Sequence, residues 1–391
     1  MEQIGLFANH LPVRIRFGEG VVATLADVLQ GEGATRPFVV IDELVQSLAP
    51  VAGALEAVEA SGGRIARYVK SAGEPTVDDV EDAAAKLSEA GADAVVAIGG
   101  GSVMDTAKAG RLVAGQGGPY RRFAAGGVTY EPPRIPLVTI PTTAGTGSEV
   151  SGGAVITDAA AGTKAGIANP LLRAQYALVD PELTYGLPPA PTAHSGIDAL
   201  AQALAALVVK VRTPIGNGVG LEAVRLAGEA LPAVVRDGSD RGARSRMACA
   251  SLMAGLAMNI SDCGSEHSLA QAIGGRFHLP HGLTIGLVLA ETMDKDRRAV
   301  PSLFERIADA LGEHDDGSRD GSRAVRAVRR ILADTGFPTL RSVGVTEADL
   351  DGLADAALGD YFISVAPEPW TKEDVIAAYE AALAIDDRSR P

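Results

Sequence analysis

His267 and His281 stand fourteen residues apart, in Glu266-His-Ser-Leu-Ala-Gln-Ala-Ile-Gly-Gly-Arg-Phe-His-Leu-Pro-His281-Gly, and Asp198 lies upstream in Gly-Ile-Asp-Ala-Leu. Two imidazoles and a carboxylate are a plausible donor set for a divalent metal. Asp198 and Gln202 are one helical turn apart, as are His267 and Gln271, so each pair shares one face of a helix. Helices that aim such groups at one another are how helical domains build metal sites. Histidines also simply pack in cores or lie on surfaces, and residue types alone leave both readings open. His281, between Pro280 and Gly282, reads as part of a rigid turn, and Cys263 reads either as a metal or redox group or as a packed thiol.

A second set of residues suits a phosphate-bearing ligand. Gly99, Gly100, Gly101 and Ser102 follow an apolar strand and open a helical stretch. Glycines allow close backbone approach, and a helix N-terminus offers free N–H groups and the positive end of its dipole. The spacing is not the Gly-x-Gly-x-x-Gly of the common dinucleotide fold. Asp105, in the same helix, either faces the ligand or complements the dipole. The loop 141–151, Pro-Thr-Thr-Ala-Gly-Thr-Gly-Ser-Glu-Val-Ser, also leaves a strand and carries hydroxyls for phosphate, ribose or amide groups. Asp42 ends another strand, where a carboxylate would accept ribose hydroxyls and repel a 2′-phosphate, favouring NAD over NADP. A helix N-cap is its other reading.

The elements needed to position these groups are legible in outline. Strand patterns at 37–42, 64–70, 92–98 and 135–140 alternate with helical patterns at 48–61, 77–90 and 102–113. Strands alternating with helices predict a parallel sheet covered on both faces. After about residue 187 the patterns are mostly helical, at 196–210, 215–235, 242–260, 264–276, 302–312, 320–335 and 372–385. The Pro-rich stretch 187–192 reads as a boundary because consecutive prolines break both kinds of backbone ladder. The expected architecture is an α/β dinucleotide-binding domain with a Rossmann-like parallel sheet at 1–188, followed by an all-α domain for metal and substrate at 189–391.

Composition narrows the function classes. The 391 residues are 47% hydrophobic and 21% charged, enough for two soluble cores. A net charge of −14 argues against a nucleic-acid partner, which needs a basic surface. No apolar run reaches membrane-span length and no secretory signal pattern opens the chain, while two cysteines are too few for a disulfide framework. A cytoplasmic enzyme is the expectation.

Five segments in order resemble the iron-containing (group III) alcohol dehydrogenase family. They are Ala97-Ile-Gly-Gly-Gly-Ser-Val-Met-Asp-Thr-Ala-Lys108, the loop 141–151, Val179-Asp-Pro-Glu-Leu-Thr184, Gly196-Ile-Asp-Ala-Leu200 and Gly274-Gly-Arg-Phe-His-Leu-Pro-His-Gly282. The likeness runs from about residue 10 to Thr371-Lys-Glu-Asp-Val-Ile. It implies a two-domain enzyme with NAD(P) in a cleft and a divalent metal, Zn or Fe, in the helical domain. The implied metal positions are Asp198, Gln202, His267 and His281, with Gln202 standing where the family has histidine. A further family histidine, near the nicotinamide, falls on Gln271. The implied dinucleotide contacts are Asp42, Gly99, Gly100, Gly101, Ser102, Asp105, Thr142, Thr143, Thr146, Lys164 and Leu183, although Lys164 by itself reads as a solvated loop lysine.

The two glutamines bear on the chemistry, because an amide oxygen is a poorer ligand than imidazole. One expectation is a three-ligand site of Asp198, His267 and His281, as in the similar glycerol dehydrogenases. The other is no metal, as in the similar maleylacetate reductases, which act on an oxo-acid. The implied reaction is NAD-dependent, reversible reduction of a small aldehyde or ketone to the alcohol, with the metal polarising the carbonyl. His267 and His281 then act at the reacting centre, with His278, water or ribose hydroxyls handling the proton because Gln271 does not titrate. A lyase resembling dehydroquinate synthase fits less well, since its anionic substrate calls for several cations and the ligand segments carry only Arg276. A non-catalytic NAD-binding protein is the remaining alternative. The resemblance also implies a homodimer or larger homo-oligomer.

Overall fold

The computed structural model describes residues 7–161 and 163–385. They divide into two compact units, one formed by His10–Gly186 and one by the residues from Leu187 onward together with those before His10. The first unit holds strands β1 (Arg14–Phe17), β2 (Pro37–Asp42), β3 (Ala66–Lys70), β4 (Ala94–Gly99), β5 (Leu137–Pro141), β6 (Gly153–Asp158), β7 (Thr163–Ala168) and β8 (Tyr176–Val179). Its helices are α1 (Leu25–Gly31), α2 (Ala49–Ala60), α3 (Val77–Glu89), α4 (Gly101–Gln116) and α5 (Tyr120–Ala124).

Six strands form one sheet in the order β1-β8-β5-β4-β2-β3, every neighbouring pair parallel. The central strands are apolar along their whole length because both faces are covered. Val39, Ile41, Val96, Ile98, Val138 and Ile140 pack with Leu25 and Leu29 of α1 and Val51, Leu55 and Val58 of α2. Their alternating neighbours Phe38, Val40, Val95, Ala97 and Leu137 pack with Leu87 of α3 and Val103 and Met104 of α4. Each such aliphatic side chain contributes about 1.5–3 kcal/mol when fully buried, so a charge at Val96 or Ile98 would break the sheet first.

From β2 the chain steps outward to β3 and then crosses back to β4 on the other side of β2. In doubly wound sheets, ligands bind outside the carboxyl ends of the strands at such a reversal. Asp42 is the last residue of β2 and Gly99 the last of β4. The predicted ligand-binding positions thus flank the reversal. An antiparallel hairpin of β6 and β7 lies apart from the sheet, with Ala154, Ile156 and Ile167 packed on Val80 of α3 and Ala109 and Val113 of α4.

Among its described residues the second unit holds helices and connecting loops but no strand. Its helices are α6 (Pro189–Val208), α7 (Pro214–Arg236), α8 (Arg241–Ile260), α9 (Ser265–Phe277), α10 (His281–Asp296), α11 (Pro301–Ala310), α12 (Ser322–Asp334), α13 (Leu350–Leu358), α14 (Tyr361–Ser364) and α15 (Lys372–Leu383). From Gly196 to Val208 every residue of α6 is buried, which holds Asp198 and Gln202 inside the unit. The prolines of 187–192 start a helix as well as end a segment: Pro188 is the N-cap of α6 and Pro189 opens its first turn. Proline is favoured there because the first-turn N–H groups have no intrahelical acceptor anyway. His281, expected in a turn, is the first residue of α10, with Pro280 as its N-cap.

Candidate active site

Three helices bring Asp198, His267 and His281 together. Their ligand atoms all lie within 4.8 Å of one another. Asp198 Oδ1 is 3.7 Å from His267 Nε2 and 3.7 Å from His281 Nε2. That is too long for hydrogen bonds. It is close to the separation of donors sharing one ion, roughly 3.4 Å for tetrahedral bonds of about 2.0–2.2 Å. Asp198 Oδ1 is buried and accepts no hydrogen bond, and a buried carboxylate oxygen left so is costly unless a cation meets it. Asp198, His267 and His281 therefore fit a divalent cation. Asp198 is 2% and His267 4% exposed, but the His281 side chain is 32% exposed, which leaves the cluster open on one side.

Glycine permits this convergence. A Cβ at Gly282 would lie 2.3 Å from the His194 carbonyl oxygen, so only glycine lets the start of α10 meet the backbone of α6 there. Gly282 follows His281 directly, and the close approach seats that imidazole beside Asp198.

His267 has a partner that its sequence neighbourhood did not assign. Its Nδ1 is 2.7 Å from Glu266 Oε1, and both side chains are buried. The same oxygen accepts the Gly264 N–H at 3.1 Å. Phe362 lies against the other side of the ring, with centroids 5.7 Å apart. Burial opposes a charge on His267, but Cys263 and then Glu266 outweigh it, so the ring holds its proton well above the ordinary histidine value. A proton and a metal ion thus compete for Nε2. Cys263 is buried, which pushes its thiol up from the ordinary value. It lies outside the cluster whose ligand atoms fall within 4.8 Å of one another.

Gln202 is buried one turn beyond Asp198, and Gln271 half-buried one turn beyond His267. His278 is exposed and ends α9 in the left-handed region (φ 55°), its N–H donating to Gly274 O at 3.0 Å. Among the described residues it is the one non-glycine residue with positive φ, a mildly strained state that histidine tolerates better than most.

On the first unit, Gly99 ends β4, Gly100 is the N-cap and Gly101 opens α4, with no side chain capping that end. None of the three has positive φ. Crowding accounts for Gly99 and Gly101: a Cβ at Gly99 would lie 2.6 Å from Val103, and one at Gly101 2.9 Å from Thr146. The loop 141–151 therefore lies against the glycine turn, with Thr143 beside Gly100 and the Thr142 N–H donating to Gly99 O at 3.1 Å. The Thr146 hydroxyl accepts the Ser148 N–H at 3.2 Å. Ser102 occupies the first turn of α4, at the end where backbone N–H groups gather.

Asp105 is committed to the protein. It accepts the Ser148 hydroxyl at 2.8 Å and the Val155 N–H at 3.0 Å, tying α4 to the loop and to β6. Burial raises its pKa, against the opposing pull of Lys108 3.7 Å away. Lys108, fully buried, donates to the Ser148 and Ser151 hydroxyls at 2.7 and 3.1 Å and to Gly153 O at 2.9 Å, and burial pushes it down to about 8. Sequence reasoning assigned Lys108 no role, although it stands one turn after Asp105 in the same motif. Asp42 is no helix N-cap: its Oδ1 accepts the Leu44 N–H at 2.7 Å, closing a turn after β2. Lys164 pairs with Glu74 at 3.1 Å. Leu183 is buried in a turn after β8, within the apolar layer under α1 and α2.

Two family models match the sequence. The model for iron-containing alcohol dehydrogenase covers residues 12–181, and that for the C-terminal part of the Fe-containing alcohol dehydrogenase family covers 192–383. The chain is 35% identical over 367 residues to the probable alcohol dehydrogenase EutG of Escherichia coli (strain K12), spanning 93% of this chain and 92% of that protein. It is 33% identical over 377 residues to the NAD-dependent methanol dehydrogenase of Bacillus methanolicus, spanning 95% and 99%. The crystal structure of a 1,3-propanediol oxidoreductase matches with a TM-score of 0.93 at 30% identity, covering 97% of this chain and all of that one.

Proposed function

This chain belongs to the iron-containing alcohol dehydrogenase family, an oxidoreductase family of alcohols and their carbonyl products, and we propose that it passes a hydride reversibly between NAD(H) and the carbonyl carbon of a small aldehyde or ketone. The observation that carries this reading is the cluster of Asp198, His267 and His281 around an unbonded, buried carboxylate oxygen. A divalent ion held by these three residues, Zn or Fe, supplies Lewis acidity to the substrate's carbonyl oxygen. Asp198 contributes charge and the two imidazoles neutral nitrogen donors, while Gln202 can add only an amide oxygen. The exposed side of His281 is where substrate enters.

The unit of His10–Gly186 carries the dinucleotide and the unit from Leu187 onward the metal and substrate. Asp42 accepts the ribose hydroxyls and selects NAD over NADP, because its carboxylate repels a 2′-phosphate. The uncapped start of α4 at Gly100, Gly101 and Ser102 takes the pyrophosphate. Thr142, Thr143 and Thr146 offer hydroxyls beside it, Lys164 adds a cation and Leu183 an apolar floor. Asp105 acts behind this surface by fixing the loop and hairpin. His278, exposed at the end of α9, exchanges the product's proton with solvent, since Gln271 cannot titrate. The NAD dependence of the methanol dehydrogenase relative supports the choice of cofactor. Among the described residues no helix is long and apolar enough to cross a membrane. A cytoplasmic homodimer or larger homo-oligomer completes the reading.

The test is elemental analysis of protein purified without added metal, with NADH oxidation against aldehydes and oxo-acids before and after chelation. About one Zn or Fe per chain, with turnover of an aldehyde lost on chelation and restored by metal, is the expected result. Chelator-insensitive turnover of an oxo-acid would replace this reading with a metal-free reductase. NAD binding with no turnover at all would make the chain a non-catalytic NAD-binding protein.

A further inference from the structure

Glu266 meets His267 in a way that goes beyond holding a helix end. A carboxylate only accepts hydrogen bonds, so the 2.7 Å contact places the proton on Nδ1 and leaves Nε2 as the donor atom turned toward Asp198. Glu266 also accepts the Gly264 N–H in the first turn of α9, which is what an ordinary dipole-complementing carboxylate would do. Such carboxylates lie at the surface, whereas Glu266 is 5% exposed. Its neighbours have made room for it: a Cβ at Gly264 would lie 2.6 Å from Glu266 Oε2. Among the described residues, no lysine or arginine forms an ion pair with Glu266 or with Asp198. Two buried carboxylates therefore share one place with two imidazoles and no protein cation beyond them, which is unfavourable in a low-dielectric interior.

We propose that Glu266 is the positioning residue of the metal cluster, fixing the His267 tautomer and supplying the second negative charge that balances a divalent ion against Asp198. The inference rests on the reading of Asp198, His267 and His281 as metal ligands. Asp198 alone leaves a dication half-neutralised. With Glu266 one imidazole away, the assembly is neutral overall, and the carboxylate also makes Nε2 a stronger donor. Glu266 touches neither substrate nor ion in this account, and it acts through His267.

The experiment is a titration of the full-length, chelator-stripped chain with Co²⁺, followed by calorimetry and by the visible absorption of the bound ion. Wild type is compared with Glu266→Gln and Glu266→Ala, and the melting temperature of each metal-free protein is recorded. Glutamine keeps an oxygen that accepts from Nδ1 and removes only the charge; alanine removes both. Outer partners of ligand histidines typically change metal affinity 10–100-fold. The expected result is a loss of about 10-fold for E266Q and up to about 100-fold for E266A, with shifted Co²⁺ bands in E266A because its His267 ring is no longer held. A residue that merely completes the helix end would lower the melting temperature and leave affinity and bands unchanged. Equal affinity and identical bands in all three proteins would overturn the role of Glu266 while leaving the metal site intact. Failure of wild type to bind Co²⁺ or Zn²⁺ would overturn both. If E266A does not fold, the comparison with E266Q decides.

Discussion

Replacing Gly282 with alanine tests whether the close approach of α6 and α10 seats His281. The new Cβ would sit 2.3 Å from the His194 carbonyl oxygen and 2.8 Å from its carbonyl carbon. Ordinary C···O contacts are roughly 3.3–3.6 Å, so the two backbones must separate by about 1 Å. Neither clashing group is a side chain, and no rotamer change relieves the contact. Overpacking of this kind costs about 1–3 kcal/mol, and in a unit of this size each kcal/mol lowers the melting temperature by about 2–4 °C. A drop of roughly 2–12 °C is expected. Because His281 opens α10, the same shift moves its Nε2 away from Asp198, and a misplacement of about 1 Å is worth on the order of 100-fold in rate. Scanning calorimetry, metal titration and NADH turnover would be run together on G282A. Gly275→Ala is the matched control: it lies exposed in α9, its Cβ meets nothing within 4 Å, and helix propensity favours alanine by about 1 kcal/mol. A G282A protein that melts with wild type and binds metal equally would refute the claim that this contact positions His281.

Asp198→Asn removes the charge but keeps the volume. It is expected to weaken Zn²⁺ or Co²⁺ binding at least about 100-fold by calorimetry, while the metal-free variant melts no lower than metal-free wild type because a buried, unbonded charge has gone. Asp42→Ser takes away the carboxylate at the end of β2, and the ratio of kcat/KM for NADPH over NADH should rise by at least about 10-fold; an unchanged ratio would dismiss Asp42 as the ribose acceptor. Burial raises Asp296 to about 7, although Ser265 and Trp370 donate to it at 2.8 and 3.0 Å. The folded state thus holds a proton that the unfolded state releases near 4. Stability should fall as pH rises from about 4 to 7, with the full penalty present above 7. Asp296→Asn keeps both contacts and should flatten that slope in denaturant melts, leaving the variant more stable than wild type at pH 8 by about 1 kcal/mol or more.

The parts of the chain that were legible before folding are those whose pattern is local. The strands at β2 and β4 are short apolar runs ended by Asp42 and Gly99, and α7, α8, α9 and α12 fall within two residues of the expected helical stretches. Helix α10 was not expected. Between Leu283 and Met293 every residue is buried, so no polar face repeats at helical spacing. Strand β1 was missed for the opposite reason, since all four of its residues are exposed and its Arg-Ile-Arg-Phe alternation carries two charges. The hairpin of β6 and β7 is rich in Gly, Ala and Thr and resembles a loop. At the candidate site, residue types made Asp198, His267 and His281 a plausible donor set, and the family resemblance joined them into one site. Glu266 and Lys108 carried no signal, because a charged residue in a helix usually faces water and only tertiary contacts turn these two inward.

The register of the outer sheet sets an order of events during synthesis. Arg14 of β1 pairs with Tyr176 of β8, about 160 residues later, and β8 joins β1 to the rest of the sheet. At about 5–20 residues per second, β1 waits roughly ten to thirty seconds after it is made before its partner strand exists. Through that interval Ile15 and Phe17 lie on an unpaired strand, the kind of segment that captures neighbouring chains. Arg14 and Arg16 alternate with them, and their charges repel a like strand from the same polysome. The two arginines that hid this strand from its own pattern thus act as its guard while the ribosome completes the sheet.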